Sequence, residues 1–192
     1  MTVQNVLSVC LFLLFLIMVQ VRAAMLRRKG IKAIVFGATD KSDFLLVPMV
    51  LAIAYTALAN TFGLPMWGGL IRPFWNSTAP GWAGLFLCVA AVTGFSLALA
   101  SFGDSFRVGI DEHKPDRLIT NGMFAISRNP IYVCFLMFFT GLFLIHRNIV
   151  IAVAIVLFIL AIHRQILREE KFLSAHYGEE YEEYRKRVRR YL

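Results

Sequence analysis

The sequence predicts an all-α, polytopic helical membrane protein of about five spans. Three observations predict it. Of 192 residues, 58% are hydrophobic, more than a soluble domain of this size can cover with polar surface. The apolar residues fall in blocks of membrane-spanning length separated by polar stretches. The charges are also distributed unequally. With five spans and the N-terminus outside, only Arg72 and Arg147 lie externally, and the other 18 of the 20 Lys and Arg face the cytoplasm. That asymmetry accounts for the net charge of +8 without nucleic acid, because basic residues flanking apolar runs set topology and meet membrane lipids. One membrane domain over residues 1–192 follows.

Val3 to Val21 is nearly all apolar and is followed by Arg22, Arg27, Arg28 and Lys29. A secretory signal carries its positive charge before the apolar run, so residues 3–21 are predicted to be a first transmembrane helix. A mixed loop over 30–43 leads to a second span over 44–63, with Pro48 tolerated in its first turns. Residues 64–80 hold Pro65, Pro73 and Pro80 and read as an external loop, with Trp67, Trp75 and Trp82 at headgroup level. The third span, 81–101, carries Gly81, Gly84, Ala90, Ala91, Gly94, Ala98 and Ala100. Small residues let helices approach closely in lipid, which predicts a central position in the bundle.

The fourth and fifth spans, 131–145 and 149–163, are joined by His146-Arg147-Asn148. Each is short for a bilayer of about 30 Å at about 1.5 Å per residue, which predicts a helical hairpin whose ends run on into polar residues. In the tail, Phe172, Tyr177, Tyr181, Tyr184 and Val188 recur at helical spacing, predicting a helix along the cytoplasmic surface. Cys10, Cys88 and Cys134 each lie inside an apolar run without CxxC or ligand spacing, so neither a disulfide nor a metal site is indicated.

Two polar constellations fall on one side of the membrane. The first is the loop that reads Asp116-Arg117-Leu118-Ile119-Thr120-Asn121-Gly122 and continues to Ser127-Arg128-Asn129-Pro130-Ile131-Tyr132. The second begins where the fifth span ends, with Arg164, Gln165, Arg168, Glu169 and Glu170. A chain that enters the hairpin at Pro130 and returns at His163 brings these ends within about one helix spacing, roughly 8–10 Å. Arg128, Asn129 and Tyr132 are therefore expected to face Arg164 to Glu170. Asn129-Pro130 also suits a helix start, with Asn at the cap and Pro at the first helical position. Gly122 is expected to take a positive φ in a turn after Asn121.

These residues resemble the isoprenylcysteine carboxyl methyltransferase family, whose signature reads LVxxGxYxxxRHPxY. Leu118 to Phe124 and Ser127 to Tyr132 carry the first part. Glu169-Glu170 with Tyr177-Gly178-Glu179-Glu180-Tyr181 and Tyr184 carry the EE…GEEYxxY ending. The likeness covers about residues 103–190, in motifs at 103–132 and 164–184, and the wider group includes phospholipid N-methyltransferases. It implies a membrane methyltransferase that uses S-adenosyl-L-methionine without a Rossmann domain. By that resemblance the cofactor is held by Asp111, Asp116, Arg117, Leu118, Ile119, Phe124, Asn129, Pro130, Ile131, Tyr132 and Glu169. Arg128 and Glu169 are the candidate catalytic residues, and Arg164, Gln165 and Arg168 the candidates for the substrate's polar end, Gln165 standing where the family has arginine. Asn129 replaces the family's histidine before proline and cannot titrate near neutral pH. Asp116 stands where the carboxyl methyltransferases often have histidine.

Methyl transfer needs alignment of donor and acceptor and exclusion of water, not a covalent nucleophile on the protein. An apolar pocket beside a carboxylate that binds the cofactor's positive groups suits that task. The acceptor implied is a lipophilic small molecule or lipidated substrate, presented from the membrane. An NADPH-dependent sterol-type reductase, or a non-catalytic protein retaining the fold, are the other readings of these residues.

Overall fold

In a bilayer every backbone polar group must find its partner within the chain, so helices carry the fold. The computed structural model describes residues 2–28, 46–66, 68–70, 72–102 and 118–192. Among them the order is α1 (Val3–Arg28), α2 (Leu46–Phe62), α3 (Ala79–Phe102), a 3-10 turn (Gly122–Ala125), α4 (Pro130–His146), α5 (Ile149–Tyr177) and α6 (Glu179–Arg187), with no strand. The all-α expectation is met. Helices α1, α3 and α5 are long and apolar enough to cross a membrane, while α2 and α4 are shorter apolar helices. The loop expected at 30–43 and the position of Trp67 lie outside the described residues.

The centre of the bundle is α3 against α4. Gly84 and Gly141 let these backbones meet: a Cβ on Gly141 would lie 2.5 Å from the Gly84 carbonyl oxygen and 2.6 Å from Cys88 Sγ. The small residues of α3 are used as expected, since lipid offers no solvent-driven force and close packing must hold the helices together. Around this seam the rings interlock. Phe15 lies 4.5 Å from Phe95 and 4.9 Å from Phe138, and Phe139 meets Phe158 edge-on at 4.7 Å.

At one end of the bundle a buried histidine joins three helices. Ser8 Oγ donates to the Asn5 carbonyl at 2.7 Å, so it accepts from His146 Nε2 at 3.0 Å. Asn60 Nδ2 donates to the other ring nitrogen at 3.0 Å. Both nitrogens are thus satisfied by a neutral ring with its hydrogen on Nε2. The following turn is tight as expected. Arg147 takes the left-handed region at φ 44°, and Asn148 caps α5 by accepting from Ile151 N at 3.1 Å.

α1, α3, α4 and α5 run past the predicted spans. α1 continues beyond Val21 because Ala23 and Leu26 are buried in its register. α5, at 29 residues, is about 44 Å long and outreaches an apolar layer of about 30 Å, with Glu169 and Glu170 in its C-terminal turns. The tail is helical as expected, in two pieces. Gly178, at φ 54°, breaks the chain after α5, and α6 turns Tyr181 and Tyr184 into the protein, 1% and 3% exposed.

Candidate functional site

The site is built where α3 ends and α4 begins. Gly122 takes φ 58°, and a Cβ there would lie 2.2 Å from Ser101 Oγ. Ser101 accepts from Met123 N at 3.1 Å and donates to the Leu97 carbonyl at 2.8 Å, which staples the 3-10 turn to the end of α3. The turn buries Phe124, whose ring stands edge-on to Phe102 at 4.8 Å. Its carbonyl accepts from Tyr184 Oη at 2.7 Å. One aromatic pair and one phenol thus fix the loop that leads into Ser127-Arg128-Asn129-Pro130.

Pro130 opens α4, where its missing N–H costs nothing. Asn129 occupies the cap position, but its side chain does not cap the helix. Instead Nδ2 donates to the Arg190 carbonyl at 3.0 Å and lies 3.5 Å from Glu170 Oε1. Arg128 N donates to the Arg189 carbonyl at 2.9 Å. The chain after α6 therefore returns as a strap, 188–192, across the start of α4.

Beneath the strap lies a buried ion cluster. Arg128 Nη2 stands 3.1 Å from Glu170 Oε1, while Arg190 reaches Glu170 with Nε at 3.1 Å and Nη2 at 2.8 Å. Two guanidinium groups share one carboxylate. Arg128 Nε and Nη1 and the Tyr181 hydroxyl are buried without a hydrogen-bond partner among the described residues. Burial, helped by Glu170, pushes the Tyr181 phenol up to about 12, and burial raises Tyr184 as well. The hydrogen bond to Glu170 holds Arg190 firmly protonated.

Glu169 sits one residue along α5 and faces a different set of partners. It accepts from Tyr132 Oη at 2.6 Å and from Gln165 Nε2 at 2.8 Å, both at Oε1. Gln165 Oε1 accepts in turn from the Arg168 guanidinium. Next to Tyr132 on α4, Val133 turns into an apolar groove of about 390 Å³, lined also by Leu87, Leu136, Met137, Thr140, Tyr191 and Leu192. Successive residues of α4 thus take different partners, Tyr132 bonding Glu169 and Val133 lining the groove.

The expected meeting of Arg128, Asn129 and Tyr132 with the Arg164–Glu170 stretch is present in these contacts. Gln165 and Arg168 join it, whereas Arg164 lies on an exposed position of α5. Leu118 and Ile119 are half-buried at the start of the described segment, and Ile131 packs on the core. Asp111, Asp116 and Arg117 lie outside the described residues. Glu170, Ser127 and Tyr184 stood in the sequence motifs without an assigned role, and Arg190 was not named as a site residue. Glu170 carried a signal, since it continues the buried stripe Phe158, Ile162, Ile166 at helical spacing. Arg190 carried none.

The phospholipid methyltransferase family model matches residues 79–180, more than half of the chain. The chain belongs to the phospholipid methyltransferase family. It is also 33% identical over 106 residues to a protein-S-isoprenylcysteine O-methyltransferase of Schizosaccharomyces pombe. That match covers 54% of this chain and 44% of the relative, so the chain matches less than half the length of that protein. In this phospholipid methyltransferase family member the matched region runs from the start of α3 to Glu180 and includes Arg128, Asn129, Tyr132, Glu169 and Glu170.

Proposed function

We propose that the chain is an integral membrane enzyme that transfers the methyl group of S-adenosyl-L-methionine to a lipophilic acceptor. The observation that carries this reading is the Tyr132–Glu169 bond of 2.6 Å, made one residue before Val133 of the apolar groove. Family membership supports the reaction class. Five spans, with the N-terminus outside and the site and C-terminus on the cytoplasmic side, agree with the distribution of Lys and Arg. Residues 1–192 act as one membrane domain in this reading.

The residues present fit the donor. Its cationic groups suit the half-buried Glu169 carboxylate, which Tyr132 and Gln165 orient. The orphaned donors of Arg128 and Tyr181 belong to the neighbouring Glu170 cluster. When bound, the donor supplies an electrophilic methyl carbon. Asn129 and Glu170 are engaged by Arg190 and Arg128, so their work is to hold the Arg128–Tyr132 stretch in place. Leu118, Ile119, Phe124, Pro130 and Ile131 contribute backbone and apolar contacts. Gln165 and Arg168 meet the acceptor's polar end, with Arg164 at the outer rim.

The chain's contribution to rate is alignment and exclusion of water. No titrating base stands at position 129, because an amide neither takes up nor releases a proton near neutral pH. The acceptor's nucleophilic atom therefore arrives with its lone pair available, as a carboxylate, thiolate or unprotonated amine. Isothermal titration with S-adenosylhomocysteine tests the reading. Micromolar binding by the parent and none by Glu169→Ala is expected. Equal binding by both would reject the site, and no binding by either would reject the methyltransferase.

A further inference from the structure

Within the strap 188–192, Arg190 ties both helices of the α4–α5 hairpin. Its carbonyl accepts from Asn129 Nδ2 at 3.0 Å and from Ser127 Oγ at 3.4 Å, just before α4. Its guanidinium spans both oxygens of Glu170 on α5, with Nε 3.1 Å from each and Nη2 2.8 Å from Oε2. Asn129 stands about one helical turn before Tyr132, and Glu170 follows Glu169 directly. Arg190 therefore bridges the two helices one step away from the Tyr132–Glu169 bond of 2.6 Å. It also lies beyond residues 79–180, the region that the family model matches. Arg128 meets the same carboxylate at Oε1 alone, 3.1 Å away. A contact at one oxygen lets a carboxylate turn, whereas a planar fork across two oxygens holds it.

We propose that Arg190 is a positioning residue for the methyl donor: by fixing Glu170 against the start of α4, it sets the Tyr132–Glu169 spacing that receives the donor's cationic groups. The inference rests on the methyl-transfer reading for the identity of that donor. The cluster keeps this role apart from simple stabilisation. Two guanidinium groups against one carboxylate leave one net positive charge, so removing Arg190 leaves a balanced Arg128–Glu170 pair and no buried charge alone. The Arg190 side chain is also 35% exposed, against 10% for Glu170, and an ion pair open to water adds little to stability. Without the Arg190 side chain the strap keeps its ties from the Arg189 carbonyl to Arg128 N and from Tyr191 to His163. What is lost is the fork on Glu170. Glu170 can then turn, the last turns of α5 are held less firmly against α4, and the short bond beside them has little distance to give before it fails.

The test uses the full chain in nanodiscs of phosphatidylcholine, with S-adenosylhomocysteine as the probe in isothermal titration. Arg190→Ala is expected to weaken binding by about ten-fold, the scale of one hydrogen bond to a charged group. Its thermal midpoint is expected to stay close to that of Arg185→Ala, which breaks the exposed pair with Glu182 and should leave binding unchanged. Two readouts separate positioning from general loosening. Millimolar guanidinium chloride, but not potassium chloride at the same concentration, is expected to restore binding to Arg190→Ala and to leave the parent unaffected. In a cycle with Tyr132→Phe, the two losses are expected to fall short of additive, because Arg190 acts through the bond that Tyr132→Phe already removes. Parent-like binding by Arg190→Ala, strict additivity in the cycle, or a loss that guanidinium does not restore overturns the role of Arg190 and leaves the methyl-transfer reading standing. No binding by the parent rejects that reading, and this inference with it.

Discussion

Replacing Glu170 by Ala isolates the energetics of the ion cluster. The carboxylate is 8% exposed and carries two guanidinium groups. Its removal leaves Arg128, whose side chain is 8% exposed, buried with none of the acceptors found among the described residues. Breaking one side of a buried pair costs about 3–5 kcal/mol. The Arg190 side chain is 35% exposed and can turn to water, so its share is discounted and the lower end, about 3 kcal/mol, is expected. Glu170→Gln, which keeps hydrogen-bonding atoms but no charge, should cost less. Reversible unfolding in mixed micelles against dodecyl sulfate, followed by circular dichroism, measures the loss. The cycle with Arg128→Ala then measures coupling, and the double variant should recover at least about 1 kcal/mol of the summed cost. A loss below about 1 kcal/mol for Glu170→Ala, the range of an exposed pair, or strict additivity in the cycle, would refute the buried-cluster reasoning.

Other consequences follow from geometry already given. Gly122→Ala forces φ 58° on a residue with a Cβ that meets Ser101 Oγ at 2.2 Å; a loss of about 1–3 kcal/mol in the same unfolding assay is expected. Gly141→Ala should separate α3 from α4 and lower the thermal midpoint by more than Gly69→Ala, since a Cβ at Gly69 meets nothing within 4 Å and its φ lies outside the left-handed region. The Tyr181 phenol, raised to about 12 from about 10 in the unfolded chain, holds its proton longer in the folded state. Its contribution is complete below pH 10 and is lost as pH rises from about 10 to about 12. Absorbance at a phenolate wavelength should show late-titrating phenols, one of which is lost in Tyr181→Phe while that of Tyr184 remains.

Much of this arrangement was legible in the sequence because it depends on local rules. Pro130 and the turn at His146 to Asn148 fix where α4 begins and where the chain reverses, and helix geometry then brings Tyr132 opposite Glu169. Gly122 after Asn121 announced its positive φ, and the small residues of α3 announced the close seam. The strap was not legible, because two of its ties run through the carbonyls of Arg189 and Arg190, which carry no residue-specific signal. The same cause hid the work of Asn129. Its sequence context fits a helix cap, yet the strap offers its amide a carbonyl at 3.0 Å, and a tertiary contact took the place of the local one. The division between Glu169 and Glu170 needed the helical register of α5, in which only the second continues the buried stripe.

The His146 junction has a mechanical consequence for the opposite end of α4. Hydrogen bonds to Ser8 and Asn60 anchor that terminus to two other helices. From this anchor to Pro130 the 17-residue helix is a lever of about 25 Å. A tilt of only about 2–3° about the anchor swings the Asn129–Tyr132 end by about 1 Å, a displacement large enough to spoil the alignment that the proposed transfer requires. Angular tolerance at the His146 end of α4 therefore sets positional tolerance at the candidate site, and an uncharged imidazole about 25 Å away acts as its fulcrum.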